Sequence, residues 1–167
     1  TSGDAWVRRD LSTEAIRLGK LLERLLPEHS EPVALVALML LHDARRDTRV
    51  DPNGDLVLLE EQDRSRWDHK QIVEGCERVE RALRGGGPTP YALQAAIAAL
   101  HAQAARAQDT DWPQIVLLYR ELLKRAESPV IALNHAAAVA MAEGEQAGLQ
   151  LLDALSGVEE LQSYAPF

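Results

Sequence analysis

Five histidines, a single cysteine and a run of three glycines are the residues of this chain whose types could carry chemistry. Their spacing gives them none. His29, His42, His69, His101 and His135 form no His-Glu-x-x-His or other ligand pattern, so no metal site is expected. Cys76 falls on an apolar helical stripe with Val79 and reads as inert core rather than nucleophile. Gly85-Gly86-Gly87 follows a helix and reads as its C-terminal stop, not as a phosphate loop. The expectation is a protein with no catalytic residues, no cofactor and no enzymatic activity.

The unusual chemistry lies in one charged segment, His42 to Trp67. It leaves a helix through His42, Asp43, Arg45 and Arg46, and turns at Asp51-Pro52-Asn53-Gly54. It runs extended through Leu56-Val57-Leu58-Leu59 and re-enters charge at Asp63 and Arg64 before Trp67. From His42 to Asp68, five arginines stand against six aspartates and two glutamates. Such a segment can satisfy itself by internal hydrogen bonds, or it can present a docking surface. A rigid network can do both. Its candidate interaction residues are His42, Asp43, Arg45, Arg46, Asp63, Arg64 and Trp67. A second set, Gln94, His101, Asn134 and His135, are polar residues on otherwise apolar helices. Buried polar groups need partners, so these either bond within the core or line a groove for a peptide or small molecule. Trp67 and Trp112 stand at helix starts and read as packing anchors.

The chain has 167 residues, of which 46% are hydrophobic and only 4% aromatic. An alanine- and leucine-rich composition of this kind favours close-packed helices. A net charge of −8 disfavours DNA contact by this chain itself. One cysteine excludes an internal disulfide and fits a reducing cytoplasm. The longest apolar run, Val33 to Leu41, is about half the roughly 18 residues of a membrane span, so no membrane is expected.

These residues must be positioned by helices. The segment Thr1 to Arg9 is polar and reads as irregular. A first helix over Leu11 to Leu26 is amphipathic, with Leu11, Ala15, Leu18, Leu22 and Leu25 on one face. A second begins at Ser30-Glu31-Pro32 and is apolar all round, so it must be covered on several sides. A third begins at Asp68, with Gln71 completing a capping box. Its stripe is Ile72, Val73, Cys76, Val79 and Leu83. The pairs Glu74–Arg78, Glu77–Arg81 and Glu80–Arg84 line its solvated face. Further helices start at Thr89-Pro90, Asp111, Ser128-Pro129 and Glu145, the last running to Leu155, and the start of an eighth is expected before Phe167. Amphipathic helices alternate with buried ones, as in stacked antiparallel helix pairs. The step from Asp111 to Glu145 matches the 34-residue tetratricopeptide period, and Trp112, Ile115 and Tyr119 fit its first-helix spacing. The expected fold is all-α: a tetratricopeptide-like α-solenoid in a single domain over 1–167. One irregular insert, with a short β-hairpin near 48–60, interrupts it. The hairpin's apolar run, Leu56 to Leu59, would pin the insert against the second and third helices.

Four stretches together resemble a known family: LMLLHDARRDTRVDPNGDLVLLEEQDRSRWD, PYALQAAIAALHA, DTDWPQIVLLYRELL and SPVIALNHAAAVAMAEG. They are similar to the C-terminal extension of a subgroup of bacterial extracytoplasmic-function RNA polymerase sigma factors, in which a tetratricopeptide-like domain follows the two sigma regions. The resemblance covers about Asp10 to Glu160. It departs at His135, where the family pattern implies arginine. It implies that the chain is a fragment, with sigma regions before Thr1 and further helices after Phe167. It also implies a regulatory, protein-interaction role in transcription initiation. The partners would be the chain's own sigma regions or the polymerase core, and DNA would be met only through those regions. The alternative is a stand-alone helical-repeat module that binds a peptide or small effector.

Overall fold

A computed structural model describes residues 9–155. Among these the chain is all-α, with helices α1 (Arg9–Leu25), α2 (Ser30–Asp43), α3 (His69–Gly86), α4 (Pro90–Gln103), α5 (Trp112–Leu123), α6 (Pro129–Glu143) and α7 (Glu145–Leu155). Three single turns of 3₁₀ helix, Arg46–Thr48, Arg64–Arg66 and Ala107–Asp109, sit between them. The expected eighth helix and irregular N-terminus fall on or beyond the ends of the described residues, except that Arg9 already belongs to α1.

The helix starts follow from local chemistry. The Asp68 carboxylate accepts from the Lys70 and Gln71 amides at 3.0 and 3.1 Å. Asp111 accepts from Gln114 N at 3.0 Å, and Thr89 from Ala92 N at 3.4 Å. Each satisfies an amide that the first helical turn leaves without a partner. The box at Asp68 is only half made, because the Gln71 side chain turns away to Asp43. At α2 the helix takes in Ser30, and His29 holds the capping position without a side-chain bond.

The chain forms two compact units, 1–110 and 111–167. In the first, α2 is the central helix and packs on α1, α3 and α4. That explains its apolar circumference: Val33, Ala34, Val36, Ala37, Leu40 and Leu41 are all buried. In the second, α6 packs on both α5 and α7, with Ile115, Val116, Leu122, Ala136, Ala138 and Val139 buried. Gly148 lets α7 close on α6, since a Cβ there would lie 2.5 Å from that of Ala140.

The apolar stripe of the first helix turns outward. Leu11, Leu18, Leu22 and Leu25 are 55%, 49%, 40% and 68% exposed. The face turned to α2 and α3 carries Ser12, Ile16, Gly19, Lys20 and Glu23 instead. Gly19 permits close approach, since a Cβ there would lie 2.6 Å from the Met39 methyl and 2.9 Å from a Val36 methyl. Ion pairs hold the same face: Lys20 to Glu74 at 2.7 Å, and Glu23 to Arg78 at 3.2 Å and to Arg81. Arg78 and Arg81 therefore bind α1 rather than only their own helix. Glu74–Arg78 and Glu80–Arg84 form as expected, at 2.9 and 3.6 Å. On the α3 stripe, Val73 is exposed.

The insert contains no paired strands among the described residues. The expected hairpin reduces to one antiparallel bridge, Val50 to Leu56. The turn forms as its residues dictate: Asp51 accepts from the Asn53 and Asp55 amides, and Gly54 adopts φ 93°. Leu56 and Leu58 point outward and are exposed, so this run does not pin the insert.

Candidate functional site

What pins the insert is Trp67. Its ring is 4% exposed, and its Nε1–H donates to Thr48 Oγ at 2.9 Å. The Thr48 hydroxyl lies 2.9 Å from the Arg45 carbonyl and 3.2 Å from Gln62 Oε1, and Gln62 Nε2 donates to the Val57 carbonyl at 3.1 Å. Thus one buried hydrogen-bond chain ties both arms of the insert together. The Asp68 amide donates to the Ala44 carbonyl at 2.8 Å, joining its two ends.

The candidate residues divide by where they point. Asp43 points inward, with a side chain 4% exposed, and binds Arg46 at 2.8 Å and Gln71 Nε2 at 3.1 Å. Arg46 also reaches Ser12 Oγ at 3.4 Å. Asp63 caps the second 3₁₀ turn, accepting from Ser65 N at 3.0 Å and Ser65 Oγ at 2.6 Å. Those two bonds hold its carboxyl below the usual range. The Arg64 guanidinium lies 4.6 Å above the Trp67 ring. It donates to the His101 carbonyl and, at 2.9 Å, to the Ala104 carbonyl, closing the C-terminal end of α4. Asp43, Trp67 and Arg64 therefore hold the segment in shape, and Asp43 and Trp67 are buried within it.

His42 and Arg45 remain at the surface side of this network. Arg45 Nη2 donates to His42 Nδ1 at 3.0 Å. A donor at that nitrogen requires a neutral ring with its proton on Nε2. The His42 side chain keeps accessible surface, yet protein crowds the ring closely. This loss of solvation, followed by the positive charges of Arg45 and Arg49, pushes its pKa down to about 4. Burial, then Arg45 and Arg64, lower His101 to about 4 as well. Arg45 is itself lowered to about 10 by desolvation and by its neighbours Arg49 and Arg64. Arg49 was absent from the sequence candidates.

A pH dependence follows. The unfolded rings protonate near 6.5, whereas the folded ones stay neutral to about 4. The folded state then binds fewer protons in this window, so stability falls as pH drops from about 6.5 to 4 and these groups remove nothing more below that. The melting temperature of the wild type should fall more steeply over this range than that of a His42→Gln, His101→Gln double variant. Parallel curves, or NMR titration midpoints of 6.5 for both rings, would refute the assignment.

The second candidate set is spread over both units. In the first, the Gln94 amide donates to the Pro90 carbonyl at 3.2 Å, a bond within α4, and His101 belongs to the cationic surround just described. In the second, Asn134 is exposed, so of its two readings bonding within the core is the one it does not take. His135 Nε2 is buried without a hydrogen-bond partner among the described residues. Loss of solvation, then the nearby Arg120, lowers its pKa. Cys76 is half-buried, and desolvation followed by Glu80 raises its thiol pKa, which makes it a poor nucleophile. Among the described residues no three acidic, histidine or cysteine groups stand together as metal ligands, and no helix is long and apolar enough to cross a membrane.

Residues 1–83 match the model of a family described as of unknown function, DUF6596. Across 163 residues, 98% of its length, the chain is 46% identical to an uncharacterized protein of Rhizobium meliloti (strain 1021). It spans 38% of that relative's length. No solved structure matches it.

Proposed function

We propose that this chain is the C-terminal regulatory domain of an extracytoplasmic-function RNA polymerase sigma factor, a tetratricopeptide-like module that supports transcription initiation by protein contact. The family assignment rests on the four resembling stretches. The observation that supports an interaction role is the outward leucine stripe of α1. Leu11, Leu18 and Leu25 recur every seven residues, with Leu22 beside them, and none is covered by the unit's own core. A contiguous apolar row on a helix held by ion pairs on its other side suits a protein partner. The sigma regions or the polymerase core would lie against it. The network around Trp67 then serves as a rigid frame within the insert rather than as the contact itself.

The test uses the longer polypeptide that carries the sigma regions. Leu18, Leu22 and Leu25 are replaced together by glutamine, which keeps helix propensity. Exposed substitutions of this kind should move stability by no more than about 0.5 kcal/mol each. Transcription from a target promoter should nevertheless drop severalfold. Unchanged transcription with a folded variant would sink the proposal.

A further inference from the structure

The chain carries a net charge of −8, yet Arg45, Arg49, Arg64, His42 and His101 act on one another electrostatically. Arg45 and Arg49 flank the 3₁₀ turn Arg46–Thr48. Thr48 bonds back to the Arg45 carbonyl and accepts from Trp67, and Trp67 carries Arg64 on its face. Arg64 in turn reaches the carbonyl of His101. His42 completes the group through its 3.0 Å contact with Arg45. Each of Arg45, Arg49 and Arg64 lies near enough to another member to depress its pKa.

No carboxylate among the described residues lies within ion-pair distance of these three arginines. Asp109 acts on Arg64 from further away, and its carboxylate is already bound twice by Arg106, at 2.8 Å each. The C-terminal ends of α2 and α4 offset part of the charge, since each helix end carries about half a negative charge. Three guanidinium charges against two such ends leave a surplus of roughly two. Unpaired cations that are half-buried are costly, and a fold that keeps them in place leaves a site for an anion. The donors are also of one kind. Arg45 and Arg49 offer N–H groups only, and the His42 tautomer fixed by Arg45 points its remaining hydrogen, on Nε2, away from that contact.

We infer that Arg45, Arg49 and His42, beside Arg64 and His101, form a binding site for a phosphate group. A surplus of about two positive charges matches a phosphate dianion better than a single carboxylate. The site owes nothing to the leucine stripe of α1, and its test needs no transcription. The two proposals can therefore fail separately.

The experiment is calorimetric titration of this chain with inorganic phosphate at neutral pH and constant ionic strength, with chloride as the control anion. A phosphoserine peptide of otherwise neutral sequence forms a second arm. Saturable phosphate binding is expected, weakened roughly tenfold to a hundredfold by Arg45→Gln and again by Arg49→Gln. Neither side chain bonds to the core, so both variants should stay folded, which circular dichroism checks. On the wild type, the His42 ring signal should shift with phosphate and not with chloride. Tighter binding of the peptide assigns the group to a phosphorylated protein, and tighter binding of free phosphate assigns it to a small anion. Heat without saturation, an equal response to chloride, or unchanged affinity in the folded variants would each overturn the site.

Discussion

Replacing Trp67 with alanine should cost the N-terminal unit about 3–5 kcal/mol. The ring is 4% exposed, so its removal leaves a large cavity at the junction of the insert with α3. The loss does not end with packing. Thr48 loses the indole donor at 2.9 Å, and Arg64 loses the surface on which it lies at 4.6 Å. Arg64 then closes the end of α4 less firmly, so the damage should spread from the insert into that helix. Trp67→Phe separates the contributions, because it keeps most of the volume and the ring face but removes the N–H. It should cost only about 1–2 kcal/mol, the price of one buried hydrogen bond and a small void. Urea unfolding checks both values. A Trp67→Ala variant within 1 kcal/mol of the wild type would mean that the indole does not anchor the insert.

What the sequence made legible is what local chemistry decides. Asp68, Thr89 and Asp111 announce helix starts because a short polar side chain can reach an amide two or three residues on. Helix α7 begins at Glu145 as expected. The apolar circumference of α2 correctly implied cover on several sides. The orientation of α1 was not legible. An amphipathic stripe says that a helix has an apolar face, not which face its own unit will take. Here the decision lies with Gly19, which removes the steric bar to the polar side, and with Glu74, Arg78 and Arg81 on another helix, which draw Lys20 and Glu23 inward. Partners so far apart in the chain leave no periodic trace.

The site divides in the same way. Asp43 and Arg46 stand three residues apart, so their pairing could be expected. The Arg64 contacts with the carbonyls of His101 and Ala104 could not, since they depend on where α4 ends. The extended run Leu56 to Leu59 looked like the anchor of the insert because it is apolar. The structure gives that part to Trp67 and to the polar residues of its hydrogen-bond chain, Thr48 and Gln62, whose buried hydrogen bonds have geometric requirements that leucines lack. Arg49 went unnoticed because a lone arginine in a mixed-charge segment is ordinarily paired. Among the described residues no carboxylate stands within ion-pair distance of this one, which only the fold decides.

Asp43 gives the other large effect, and it separates a folding residue from a contact residue within one short motif. Asp43→Ala should destabilise the chain by about 3 kcal/mol, the lower end of the range for breaking a buried pair. The carboxylate is nearly inaccessible and binds both Arg46 and Gln71, so its removal strands a guanidinium and an amide together. The value sits at the lower end because Arg46 is 22% exposed and can recover some hydration. Arg45→Ala, two residues on, removes a side chain whose hydrogen bond is to His42, and should cost less than about 1 kcal/mol. Equilibrium unfolding of the two single variants would show the contrast directly. In a longer polypeptide, loss of activity on replacing Asp43 would then come with loss of fold, whereas loss of activity on replacing Arg45 would not. Equal stabilities for the two variants would mean that Asp43 is not a buried keystone, and its place would return to the surface with Arg45.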